Sequence, residues 1–224
     1  MTFSIVARCP ATGMFGVAVC SSSPAVAARC AFARAGVGAA TSQNITDPAL
    51  GERLLDLMAS GLRARAALAA LTRAEPSIDF RQMISVDATG ETGLFSGAHT
   101  LGLNAVAHAP DVAAAGNLLA TVDVPAAMVA AFQASTGAFG ERLLGAMRAA
   151  MAAGGEAGPV HSAGLKIVDK LSWPLVDLRV DWAEEGVIDQ LQTLWEIYAP
   201  QAADYVTRAL HPETAPGFGV PGDP

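Results

Sequence analysis

Two apolar, β-prone runs open the chain, residues 3–8 and 14–21, and between them lies the turn-forming stretch Cys9-Pro10-Ala11-Thr12-Gly13. Such a pattern folds back on itself as an antiparallel hairpin, because both runs need a paired neighbour and the Pro and Gly supply the reversal. If Cys9 pairs with Met14 around the turn, Ser4 falls opposite Val19 and Thr2 opposite Ser21. A hydroxyl on the first residue after Met1 then stands beside the run Ser21-Ser22-Ser23.

The hairpin is followed by alternating groups of strands and helices. Residues 25–33 predict a short helix or a buried loop, and 36–41 a third strand ended by Ser42-Gln43-Asn44 and the turn signal Asp47-Pro48. Leu50, Leu54, Leu55, Leu57 and Met58 recur at helical spacing, and Gly61 separates them from a second helix through Leu71. Strands are predicted over 80–86, 92–96, 104–108 and 112–119. Helices follow over 125–134 and 139–152, divided by Gly137 and closed by Gly154-Gly155. Strands over 162–168 and 175–180 and helices over 187–198 and 202–210 complete the pattern. From His211 the chain turns rich in Pro and Gly and reads as a loosely held tail. This order suits hairpin-built sheets covered by helical layers, an α+β fold with one domain over 1–210 and a tail over 211–224.

Composition narrows the function classes. The formal charge of −7 opposes approach to a phosphate backbone, and no Lys/Arg stripe offsets it, so nucleic acid is not an expected partner. No run supplies about 18 clean apolar residues, and the start lacks a basic region followed by a long apolar core. The expected setting is therefore the cytoplasm, without membrane association. Charged residues make up 16% of the chain, against about 25% in typical soluble domains, which points to a covered surface and a homo-oligomer. Cys9, Cys20 and Cys30 are an odd set with no C-x-x-C pair and no His at zinc spacing, and read as reduced thiols, small and buried. The literal G-x-G-x-x-G at 217–222 follows no strand and opens no helix, so it is tail composition and not a phosphate loop.

The chemistry rests on Thr2. A small second residue permits enzymatic removal of Met1, which would leave Thr2 with a free α-amine. With a pKa of about 7.7–8.0 that amine is partly neutral near pH 7 and can take the proton of the hydroxyl on the same residue. Nucleophile and base then share one residue, and acyl transfer needs neither metal nor cofactor. Asn117 is the candidate oxyanion or orienting group, since its amide can donate to a developing negative charge. Ser21 and Gln43 are placed beside the nucleophile as substrate-binding candidates. His108 is read as a pocket residue, and Arg8, like Arg34, as a partner for a substrate carboxylate. Polar strand ends, half-buried histidines and paired arginines explain the same residues structurally.

The ordered set Phe3-Ser4-Ile5-Val6-Ala7-Arg8 with Pro10, then Gly16-Val17-Ala18-Val19 with Ser21, Ala35-Gly36-Val37-Gly38-Ala39 and Gly116-Asn117-Leu118-Leu119, resembles the domain of unknown function 1028 family, grouped with the N-terminal nucleophile (Ntn) hydrolases. That resemblance implies a four-layer αββα sandwich of antiparallel sheets with the nucleophile at the start of the first strand. Two positions depart from the pattern: Cys9 stands where Asp is expected before the Pro, and Phe95-Ser96-Gly97 where His-Thr-Gly is expected. His108 falls where the family carries a Gly-His pair. The expected function is hydrolysis of a small, amino-acid-like amide or carbamoyl compound. The alternative is a catalytically inactive relative that keeps the sandwich as a ligand-binding or assembly module. A thiol-dependent activity through Cys9 or Cys20 is a third reading.

Overall fold

The computed structural model describes residues 2–220; Met1 and the end of the tail lie outside the described residues, and with them part of the 217–222 motif. The hairpin forms as β1 (Thr2–Arg8) and β2 (Phe15–Ser21), with Ser4 opposite Val19 and Arg8 opposite Phe15. The Cys9 amide donates to the Met14 carbonyl at 2.8 Å, the closure that the turn sequence predicts.

After the hairpin come α1 (Val26–Cys30), β3 (Ala31–Arg34), β4 (Gly38–Asn44), α2 (Ala49–Ala59) and α3 (Ala64–Ala74). The middle of the chain forms β5 (Arg81–Asp87), β6 (Thr92–Ser96), β7 (Ala105–Ala109) and β8 (Val112–Asn117). Then follow α4 (Val124–Ala134), α5 (Phe139–Ala152), β9 (Ser162–Val168), β10 (Val176–Val180), α6 (Val187–Tyr198) and α7 (Ala202–Leu210). Among the differences from the sequence pattern, β4 runs on through Ser42-Gln43-Asn44, the strand expected to reach Leu119 ends at Asn117, and two others have local causes. Residues 25–33 divide into a five-residue helix and the start of β3, each too short to show a period. The strand expected from Gly36 begins at Gly38, because Gly36 takes a φ of 72° and belongs to the turn.

All strand pairs are antiparallel. One sheet runs β10-β9-β2-β1-β8-β7 and the other β3-β4-β5-β6. Alternation along β1 sets the layers. Phe3, Ile5 and Ala7 pack against Met128 of α4, Leu143 and Met147 of α5 and Leu191 of α6. Val6 faces the other way, meeting Ala39, Ile84 and Val86 of the second sheet. The far side of that sheet is covered by Leu50, Leu54, Leu68 and Leu71 of α2 and α3. The fold is thus α+β, a four-layer αββα sandwich of two antiparallel sheets. Among the described residues no helix is long and apolar enough to cross a membrane. Residues 211–220 are mostly exposed but held to α7, where the Arg208 guanidinium donates to Pro216 O and Gly217 O and lies 3.9 Å from the Phe218 ring centre.

Asp87, at the end of β5, ties the second sheet to α3. Its carboxylate accepts from the Ala64 amide at 2.9 Å, capping an otherwise unpaired helix donor, and from Arg63, Thr89 and the Glu91 amide. Burial alone would raise this carboxyl; the hydrogen bonds from Thr89, the Ala64 amide and Arg63 outweigh it and hold it at about 2. A depressed acid contributes stability above its ordinary value of 3.8 and loses it as pH falls through about 2. Asp87→Ala should therefore cost about 2–3 kcal/mol at pH 7. In urea titrations it should also show a shallower loss of stability between pH 4 and 2 than the parent protein.

Candidate functional site

The space between the sheets is apolar over most of its length and turns polar where β1 begins. Thr2 is opposite Asn117 on one side, and the β1–β2 register carries it to Ser21 on the other. Ser21 in turn pairs with Ser162 of β9. Asn117, Thr2, Ser21 and Ser162 thus form one lateral row across four strands, on the face turned toward the second sheet. The Thr2 hydroxyl donates to Ser21 Oγ at 3.3 Å, which also accepts the Ser23 amide at 3.1 Å. Ser162 accepts the Val26 amide at 3.1 Å and donates to Ser23 O at 2.5 Å, fixing the loop from Ser22 to Ala25 against the row.

The second sheet answers with two glutamines. Ser4 donates to Gln43 Oε1 at 2.6 Å, and Gln43 Nε2 donates to Gln82 Oε1 at 2.8 Å. Asn117 Nδ2 reaches the same Gln82 oxygen at 3.2 Å, while Gln82 Nε2 donates to Gly116 O and Ser96 Oγ, each at 3.0 Å. Ser4, Gln43, Gln82 and Asn117 have no solvent exposure, so these bonds form where water does not compete. One hydrogen of the Asn117 amide is committed to Gln82, whereas its Oδ1 is buried without a hydrogen-bond partner. A buried acceptor left open costs about 1–3 kcal/mol.

The structure brings Thr2, Ser21 and Asn117 together and puts Gln43 behind them. Both ends of the Gln43 amide are engaged inside the interlayer, where it braces the row. Arg8 is at the other end of β1, about 20 Å away by strand rise, and pairs with Asp111 at 2.8 Å across the β7–β8 turn. His108 sits opposite Ala113 on the edge strand, exposed, with Nδ1 3.0 Å from Thr92 Oγ1. That contact joins the two sheets at their edge and lies far from Thr2. Asn44 is consumed by loop closure, donating to Phe80 O and accepting the Leu101 amide, and Arg34 by Glu52 and Asp56. The three cysteines are free thiols, Cys20 and Cys30 buried and Cys9 half-buried. Cys20 packs into the helix side of the sheet, where burial and the nearby Glu156 charge push its thiol well up. It is therefore a poor nucleophile.

Sequence reasoning missed three residues. Gln82 carried a signal: it has the same strand parity as the inward-facing Ile84 and Val86, so its amide enters the interlayer. Ser162 and Glu156 carried none, since one opens an ordinary strand and the other follows two glycines. Glu156 is 5% exposed, accepts the Ser22 amide on both carboxylate oxygens at 3.2 and 3.3 Å, and forms an isolated bridge with Leu119. Burial raises its carboxyl to about 7, against the opposing pull of the chain's amino-terminal charge and the Ser22 hydrogen bonds.

Two clefts lie away from Thr2. One of about 450 Å³ is lined by Arg34, Lys170 and Trp173 among others, and one of about 350 Å³ lies between α2 and α3. Thr2 itself is 6% exposed.

Comparison with known proteins adds a family and a fold. The family model described as "Family of unknown function (DUF1028)" matches residues 2–191. The crystal structure of a Silicibacter pomeroyi protein with the same family assignment superimposes with a TM-score of 0.85 at 29% identity, over 91% of this chain and 89% of that one. Anbu (ancestral beta-subunit) from Yersinia bercovieri aligns over 88% of this chain and 97% of its own, with a TM-score of 0.38 and 9% identity, a likeness too weak to carry an argument. No curated protein matches the chain.

Proposed function

The chain belongs to the DUF1028 family of unknown function, and from that premise we propose that it is an N-terminal-nucleophile hydrolase of small amide or carbamoyl compounds, with Thr2 as nucleophile once Met1 is removed. The observation that carries this reading is the position of Thr2 as the first residue of a central strand, flanked by Asn117 and by Ser21, whose Oγ is 3.3 Å from its hydroxyl. In the processed chain the Thr2 nitrogen is an amine and no longer a peptide nitrogen. Neutral in about one molecule in ten near pH 7, it takes the hydroxyl proton as Oγ attacks the carbonyl carbon. The amine then passes that proton to the leaving nitrogen, and water cleaves the resulting ester to free the acyl product. Asn117 offers the second hydrogen of its amide to the carbonyl oxygen and its open Oδ1 to a substrate N–H. The side chains of the row are hydroxyls and amides, which favours an uncharged group at the scissile bond.

Intact-mass measurement on protein from its native host tests the premise: the chain should lack the mass of its first residue. A small β-lactone should then add once, and peptide mapping should find the adduct on Thr2. A retained Met1, or an adduct elsewhere, overturns the hydrolase. One observation favours a second reading, a non-catalytic module on the same sandwich: Thr2 is buried and its hydroxyl is engaged by Ser21. Under that reading neither the mass loss nor the adduct is seen.

A further inference from the structure

Two strands, β2 and β8, flank the start of β1 and end level with it, and the chain continues beyond each. One step beyond Ser21, the Ser22 amide donates to both oxygens of Glu156. Two steps beyond Asn117, Leu119 is bridged to the same residue, and the following Ala157 amide donates to Leu118 O at 3.0 Å. Residue 156 therefore spans the gap between β2 and β8 off the amino end of β1. Its carboxylate is buried, and among the described residues no Lys or Arg pairs with it. A buried carboxylate whose hydrogen-bond donors are neutral, here the Ser22 amide and hydroxyl, is expensive unless a cation completes it. Removal of Met1 creates a cation at Thr2, at this end of the strand.

Resting on the Thr2 reading above, we infer that Glu156 is the counter-ion of the Thr2 α-amine, a positioning residue that orients the amine and sets its protonation. The pair exchanges one proton without loss of balance: ammonium and carboxylate become neutral amine and carboxylic acid, and the amine is then free to take the hydroxyl proton. The raised carboxyl of Glu156 brings the two groups close enough in acidity for that exchange. Two other titratable groups stand nearby. Cys20 of β2 stays neutral, its thiol pushed up by burial and by Glu156 itself. His161 adjoins β9, with Nδ1 on Ala183 O and its ring stacked on Trp182 at 4.3 Å.

The test titrates the amine and needs no substrate. Full-length chain lacking Met1 is carbamylated with cyanate, which reacts with neutral amines, and Thr2 modification is followed by mass spectrometry across pH. In Glu156→Gln the half-point should fall by about one pH unit, making carbamylation at pH 7 up to about tenfold faster. Glu156→Asp, which keeps the charge, should remain near the parent. Identical curves for the parent and Glu156→Gln overturn the inference. If Glu156→Gln does not fold, the parent is compared with a short peptide of the same first residues: a Thr2 half-point above the peptide's supports the pairing, and one at or below it overturns it. Loss of the hydrolase reading appears as retained Met1 or absent turnover, neither of which this titration measures.

Discussion

Thr2→Ala should bring hydrolysis of any responsive member of a panel of small chromogenic amides and carbamates to background, a loss of at least about 10³-fold, with the fold intact. The size of the loss follows from the chemistry: the variant keeps the amine and Asn117 but has no oxygen to form the acyl intermediate. The fold should survive because the change removes a hydroxyl and a methyl at a strand end, where the hydrogen bond to Ser21 is worth about 1 kcal/mol. Thr2→Ser, which restores the oxygen, should retain measurable turnover. Ser21→Ala should lower the rate by about tenfold, since it loosens the hydroxyl without removing it. Undiminished turnover in Thr2→Ala would dispose of the mechanism.

The second large effect concerns stability. Gln82→Leu should destabilise the protein by about 3–5 kcal/mol in urea denaturation, a large share of the roughly 5–15 kcal/mol that holds a domain together. The leucine fills a similar volume but leaves Gln43 Nε2, Asn117 Nδ2 and the Gly116 carbonyl without the partners they have between the sheets. Each stranded group costs about 1–3 kcal/mol, and the sum falls short of additive because neighbours relax together. Replacing Ser4, Gln43, Gln82 and Asn117 jointly by apolar residues should cost less than Gln82→Leu alone, because the Gln43 and Asn117 amides are then no longer stranded. That combination would also remove the Asn117 amide, separating the network's part in stability from its part in the site. A change below about 1 kcal/mol in Gln82→Leu would mean that water reaches the interlayer and satisfies these groups.

Much of the fold was legible because its elements are bounded locally. The spans of β6, β9, α5, α6 and α7 agree with their sequence patterns residue for residue, each closed by Gly, Pro or a polar break. The short α1 and β3 were not legible, since four or five residues cannot display a period. In the site, Thr2 and Ser21 could be placed side by side because a single tight turn carries the register between them. The substrate-binding assignment of Arg8 rested on residue type and that of His108 on residue type and the family resemblance, and tertiary structure gives both residues partners far from Thr2.

What the chain alone determined is the hairpin, its register and the hydroxyl on its first described residue, all consequences of alternation and turn chemistry within some twenty positions. Tertiary structure decided which strand covers the other side of β1, bringing Asn117 to Thr2 across more than a hundred residues. It also set Gln82 beneath them and closed the strand end with Glu156. These choices depend on which sheet faces pack together. That is settled by the summed burial of two apolar faces, a quantity no local stretch of sequence contains.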